Sequence, residues 1–202
     1  MGIDLWQFAV RRPRLFHLTA AANVDAILEG GLLESARVLM ERAADTSYLR
    51  QKRKQHLTLR IGERVVHVRD QAPLHAGNME MEPGTSFEDV IELLNERVFF
   101  WPGDERGPIV AGRNHFARYA GEDCKVLVVE TEAMLALNPG VQFCRFNSGA
   151  PRCSGGRKSP RGAGTFLPPG ACEFSAAEVQ EVTFVGAARL PRERIRILAA
   201  TR

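Results

Sequence analysis

Apolar positions along the chain switch between spacings that suit strands and spacings that suit helices. Leu15, Phe16 and Leu18 predict a short buried strand with His17 near its end, and Thr19 stands where an N-cap would accept from a first-turn N–H. Val24, Ile27 and Leu28 then follow the i, i+3, i+4 spacing of a helix face, and Gly30 and Gly31 end it. Ahead of the strand, Asp4 to Val10 reads as a short amphipathic lead-in with Leu5, Trp6 and Phe8 turned to a core. Behind it, Glu34 to about Gln55 reads as a helix carrying Val38, Leu39, Tyr48 and Leu49 and ending on Arg50, Lys52, Arg53 and Lys54.

His56 to Arg60 and Arg64 to Val68 form two β-like runs around Ile61-Gly62-Glu63, the pattern of a hairpin. Thr85 and Glu88 have capping-box spacing ahead of a helix Phe87 to Leu94. The strand Arg97 to Pro102 places Phe99, Phe100 and Trp101 in succession. Since strand side chains alternate, at least one of these aromatics faces away from the others. Further on, Pro108 to Tyr119 and Thr131 to Leu137 read as helices, and Lys125 to Val129 and Val141 to Phe146 as strands. The final strand, Ala177 to Val185, sets Glu181 on one face with Val179, Thr183 and Val185, and a carboxylate in that company calls for a functional reason.

Composition narrows the class. At 202 residues, with ordinary apolar and charged fractions, the chain reads as a single folded domain. No apolar run reaches the ~18 residues of a membrane span, and the first residues lack the basic region of a signal peptide, so a cytoplasmic protein without membrane contact is expected. The four cysteines are irregularly spaced and read as free thiols. Without Cys-x-x-Cys or His-x-x-x-His pairs no metal site is expected. Neither a Gly-x-Gly-x-x-Gly turn nor a Gly-x-x-x-x-Gly-Lys loop is present, which disfavours a Rossmann or P-loop domain.

The net charge of +3 is mild but unevenly spread. The basic residues from Arg50 to Lys54 are explained equally by a helix end and by a phosphate contact. From Asn147 to Gly170 the chain is rich in Gly, Pro and Ser and has no acid, and with Arg145 at its edge it carries Arg152, Arg157, Lys158 and Arg161. This reads as a flexible basic loop suited to nucleic acid, since each phosphate neutralised releases a counterion.

Three stretches carry a family resemblance. His17-x-Thr19 with Asn23, then Ile27-Leu28 and Gly31-Leu32, is similar to the opening of the DarT family, NAD-dependent ADP-ribosyltransferases that modify DNA bases. The Phe99-Phe100-Trp101 strand resembles the aromatic strand of that family. Glu181-Val182, followed by Val185, Leu190-Pro191 and Ile195, resembles its closing strand, in which the Glu is catalytic. The middle of the chain departs from the pattern, and the segment from Asn147 to Gly170 is unlike the DarT substrate loop.

The resemblance implies an α+β domain of the ADP-ribosyltransferase type, with split, mostly antiparallel sheets and flanking helices around an NAD cleft. It implies Glu181 as the catalytic residue, with Glu178 the alternative. His17, Thr19 and Asn23 would lie at the ribose and nicotinamide, Phe100 or Trp101 on the ring, and Arg50 or Arg53 at the pyrophosphate. Breaking the nicotinamide–ribose bond develops positive charge at the sugar, which one ionised Glu can offset. The expected function is transfer of ADP-ribose from NAD to nucleic acid, DNA ahead of RNA, by a toxin or defence protein that an antitoxin protein could partner. Two alternatives stand beside it: a non-catalytic nucleic-acid-binding module on the same fold, and an RNA 2′-phosphotransferase-like enzyme.

Overall fold

The computed structural model describes residues 2–200. Asp4 caps the first helix, α1 (Leu5–Arg11), by accepting from the Gln7 amide. The strand β1 (Arg14–Ala20) runs through Thr19, so this threonine lies within the strand and does not cap a helix. A single 3-10 turn, Ala21–Asn23, leads into α2 (Val24–Gly30), and Gly31 closes that helix at φ 61°. After β2 (Leu32–Glu34), the helix expected to reach Gln55 is only α3 (Ala36–Arg42). It stops in a Schellman cap: Asp45 N–H donates to Met40 O and Ala44 N–H to Glu41 O, with Ala44 left-handed at φ 52°.

The hairpin β3 (Leu57–Ile61) and β4 (Arg64–Val68) turns at Gly62-Glu63, as the alternation indicates. Beyond β5 (Met79–Met81), α4 (Phe87–Asn95) opens on a capping box formed by Ser86 and Asp89, one residue later than the Thr85 and Glu88 pair. Then come β6 (Arg97–Asp104), β7 (Gly107–Pro108), α5 (Val110–Arg118), β8 (Cys124–Glu130), α6 (Thr131–Leu137) and β9 (Val141–Cys144). The Gly-rich segment has structure of its own: β10 (Ser159–Arg161) pairs in parallel with β5, and Leu167 bridges to Phe143. The chain ends with β11 (Glu181–Val185), β12 (Ala187–Arg189) and β13 (Arg196–Ala199).

The result is an α+β fold built on an antiparallel sheet in the order β13-β8-β1-β6-β11-β9, with β7 on β6. Leu15, Phe100, Leu127, Val129, Phe143, Val182 and Phe184 meet Phe8 of α1 and Met134 of α6 in the largest core. Across β1, β6 and β8 the other face carries Phe16, Leu18, Trp101, Val126 and Val128 against Phe116 and Tyr119 at α5. A third core gathers around Val90, Ile91 and Leu94 of α4. Among the described residues, no helix is long and apolar enough to cross a membrane.

One break in this sheet sets the position of the site. Strand β1 pairs with β8 along its whole length, from Arg14 to Ala20, but with β6 only from Arg14 to Phe16. Beyond the Phe16–Trp101 pair, β6 turns to β11 and pairs with it through Arg97 to Phe100. The sheet therefore forks, with His17 to Ala20 on one arm and Arg97 to Phe100 with β11 on the other.

Candidate functional site

A cavity of about 260 Å³ opens at the fork. Its wall takes His17, Thr19 and Asn23 from the β1 arm, Phe99 and Glu181 from the other, Trp101 from the point of the fork, and Arg53 and the β4 hairpin strand besides. Distant stretches of sequence thus meet at one opening.

On the β1 arm, His17 Nδ1 lies 2.8 Å from the backbone oxygen of Phe99. A carbonyl only accepts, so Nδ1 carries the proton and Nε2 keeps its lone pair. Burial drives the His17 pKa down to about 4, which keeps the ring neutral at physiological pH. Thr19 is buried and its hydroxyl accepts from Asn23. The Asn23 amide donates to His67 O at 2.8 Å and accepts from His67 N at 3.0 Å. That two-way clamp fixes β4 over the cavity, so Asn23 is a scaffold residue whose polar atoms are already engaged.

On the opposite arm, Glu181 begins β11 with only 2% of its surface exposed. Its Oε1 accepts from Ser148 N–H at 3.1 Å, while Oε2 is buried without a hydrogen-bond partner. Burial raises this carboxyl to about 7, opposed by Ser148 and by the charge of Arg161. Glu178 is different in kind: it is half-buried at the surface, accepts from Ser175, and pairs with Arg145 at 2.7 Å. It does not line the cavity.

The aromatic strand obeys alternation and thereby corrects half of the aromatic assignment. Phe100 is fully buried in the main core against Phe184, away from the cavity, whereas Phe99 and Trp101 line it. Trp101 stacks on His115 with ring centroids 4.3 Å apart, and its Nε1–H is buried without a partner. Gly112 makes this approach possible, since a Cβ there would come within 2.8 Å of the Trp101 Cβ.

Of the two candidate arginines, Arg50 pairs with Asp89 and Glu92 on the surface and does not line the cavity. Arg53 does line it, nearly buried, with Nε donating to Arg69 O and Nη1 to Asn95 Oδ1. Burial lowers its pKa to about 10, still well above neutrality. Neither sits at a helix end.

The basic segment divides as well. Arg152, Arg157 and Lys158 are exposed, and Arg145 is tied to Glu178. Arg161 is turned inward with 1% of its surface exposed, which removes it from any surface that could meet a polymer.

Sequence reasoning passed over His115, Tyr119, Ser148, Arg69 and Arg97, all of which line the cavity. Arg69 lies 4.2 Å over the Tyr119 ring, and Arg97 is held by Leu93 O and Gln142. The available signal was the i, i+4 spacing of His115 and Tyr119, which puts both on one side of α5. Ser148 had none, because it acts through its backbone. Among the described residues, no group of three His, Cys, Asp or Glu side chains is placed to hold a metal ion.

A family model described as a family of unknown function, DUF7002, matches residues 13–194. No curated protein and no solved structure matches the chain.

Proposed function

We propose that this chain, which belongs to the DUF7002 family of unknown function, is an NAD-dependent ADP-ribosyltransferase of the DarT-like kind that acts on nucleic acid in the cytoplasm. The observation that supports the reading most is the forked sheet, which brings neutral His17 and buried Glu181 to one cavity. A volume of about 260 Å³ is at the small end for a ligand site and suits a nucleoside-sized group, with the rest of a dinucleotide outside it. The donors and acceptors fit such a group: Glu181 Oε2 lacks a partner, His17 Nε2 is free to accept, and the Nε and Nη1 bonds of Arg53 hold its cation at the wall.

NAD, when bound, supplies a nicotinamide–ribose bond whose cleavage develops positive charge on the sugar. Glu181, ionised as pH rises through about 7, provides negative charge from a buried position, where it acts more strongly than in solution. His17 accepts a hydroxyl proton at Nε2 while its Nδ1–H stays on Phe99 O, which fixes the ring's tautomer and direction. Trp101 offers an apolar edge already held by His115. Arg53 holds a positive charge toward a diphosphate. The exposed Arg152, Arg157 and Lys158, on the segment that follows Ser148, neutralise the phosphates of an acceptor strand.

The test is nicotinamide release from NAD by the purified protein, with and without single-stranded DNA or RNA, compared with Glu181→Gln. Release that falls on the order of 10²–10³-fold in the variant, and rises with one polymer, is the expected result. Absence of NAD binding and release in every condition removes the transferase reading. Nucleic-acid binding that survives in Glu181→Gln without any turnover would instead favour the non-catalytic module, which the exposed basic residues also support.

A further inference from the structure

Arg161 comes from the basic segment, yet it is one of the largest fully buried side chains in the molecule. Parallel pairing of β10 with β5 fixes its backbone, and its own carbonyl accepts from Glu82 N–H at 2.9 Å. Its Nη1 donates to Ser159 Oγ and Pro160 O, and Nη2 donates to Asn147 O at 3.2 Å. The guanidinium lies over Phe146 with its central carbon 4.9 Å from the ring centroid. This is more anchoring than a surface cation receives, and none of it goes to a carboxylate.

The relevant partner is one bond further on. The oxygen that Arg161 grips and the N–H that Ser148 gives to Glu181 belong to the same peptide group, the one joining Asn147 to Ser148. A cation on the carbonyl polarises that group and strengthens its N–H as a donor. We infer that Arg161 is a positioning residue for Glu181, acting through this peptide group and through its own charge to aim the carboxylate and favour its ionised form. The inference rests on Glu181 as the catalytic group but does not need turnover to be tested.

Against burial, Glu181 is held first by Ser148, whose peptide group Arg161 grips, and next by the charge of Arg161 itself. Cys144, the register partner of Glu181 on β9, has a thiol that burial pushes far up, so it stays neutral. Around the cavity wall stand neutral His17 and His115, with Arg53, Arg69, Arg97, Asp70 and Tyr119, and the opposing charges that bear on Glu181 come chiefly from Arg161. Burial lowers the Arg161 pKa, and Glu181 opposes that shift, so each ion favours the other's charge.

Glutamate labelled with ¹³C at Cδ reports the titration directly, the Glu181 signal being the one missing from Glu181→Gln. Arg161→Gln should raise the Glu181 midpoint by about one pH unit, and Arg161→Lys should restore much of it. In the unsubstituted protein the Ser148 amide and the Arg161 guanidinium signals should move with the Glu181 midpoint. An unmoved midpoint in folded Arg161→Gln overturns the inference. If that variant does not fold, Ser148 and Arg161 signals that ignore the Glu181 titration overturn it instead. A protein that releases no nicotinamide but shows the linked titration contradicts the transferase reading alone. Where release occurs, the acidic limb of its pH profile must shift upward with the midpoint.

Discussion

His17 Nδ1 and the carbonyl oxygen of Phe99 are 2.8 Å apart, at the point where β1 and β6 cease to pair. The side chain takes the place of a ladder hydrogen bond, so the same ring that faces the cavity also holds the two arms at a fixed separation. Replacing it with alanine leaves the Phe99 carbonyl without its donor. His17→Ala should therefore lose about 1–3 kcal/mol of stability in urea unfolding as well as nicotinamide release. Full stability in this variant would mean that the imidazole does not bridge the fork.

Glu181 presents a conflict between stability and function. Its carboxyl rises from 4.5 to about 7 on folding, so between those values the folded chain keeps a proton that the unfolded chain releases. Stability from this group is present at low pH and is lost as pH rises through that window, by ~3 kcal/mol once the carboxylate is ionised. Glu181→Gln should melt at a higher temperature than the unsubstituted protein at pH 8 and at nearly the same temperature at pH 4. Turnover, in contrast, should rise with pH through about 7, and this rise should be missing from the much slower variant. A lower melting temperature for Glu181→Gln at pH 8 would show that the buried charge is fully compensated.

Periodicity revealed the parts of this molecule whose local rules agree with the tertiary structure. The β3–β4 hairpin, the helix Thr131–Leu137 and the alternating faces of Phe99, Phe100 and Trp101 all follow from spacing and turn residues. The end of α3 did not, because Ala44 occupies the left-handed position that a Gly usually marks, and so the helix appeared to continue to Gln55. Alternation told that the aromatics divide but not which side meets the cavity, since that depends on where β1 leaves β6. The inward turn of Arg161 was invisible for a related reason. Its partners are backbone oxygens of Asn147 and Pro160 and the hydroxyl of Ser159, and no side-chain pattern encodes a backbone acceptor.

Trp101 offers an optical test of the cavity. The other tryptophan, Trp6, is 70% exposed on α1, so Trp6→Phe removes the solvent-facing fluorophore without disturbing a core. In that background the remaining emission comes from Trp101, which is buried at the cavity against His115. Titration with NAD, or with nicotinamide alone, should quench or shift that emission with a saturable midpoint. Binding seen by calorimetry without any change in emission would remove Trp101 from the ligand contact.

The two cavity histidines make the fold sensitive to acid. Burial lowers His17 to about 4 and His115 to about 3, from an ordinary 6.5. Below 6.5 the unfolded chain takes up protons that the folded chain refuses, so the stability these rings contribute is lost as pH falls from 6.5 toward their folded values. Glu181 acts in the opposite sense over part of this range, but two histidines outweigh one carboxyl. His115→Phe keeps a ring on Trp101 and removes one titration. Its melting temperature should decline less between pH 6.5 and pH 4.5 than that of the unsubstituted protein, and an equal decline would show that His115 is protonated in the folded state.

The basic segment separates binding from stability. Arg152, Arg157 and Lys158 are exposed, so replacing all three with glutamine should leave the melting temperature unchanged. Each phosphate contact with a single strand contributes about 0.7 to the slope of log affinity against log salt. If all three cations meet phosphates, the triple variant should lose about 2 from that slope, together with stimulation of nicotinamide release by the polymer. Arg145 is held by Glu178 and should contribute less than any one of them. Arg161→Gln should behave in the reverse manner, lowering the melting temperature because it removes a buried, hydrogen-bonded cation, while leaving the salt slope intact. A salt slope that falls with Arg161 and stays constant in the triple variant would place the polymer elsewhere on the surface.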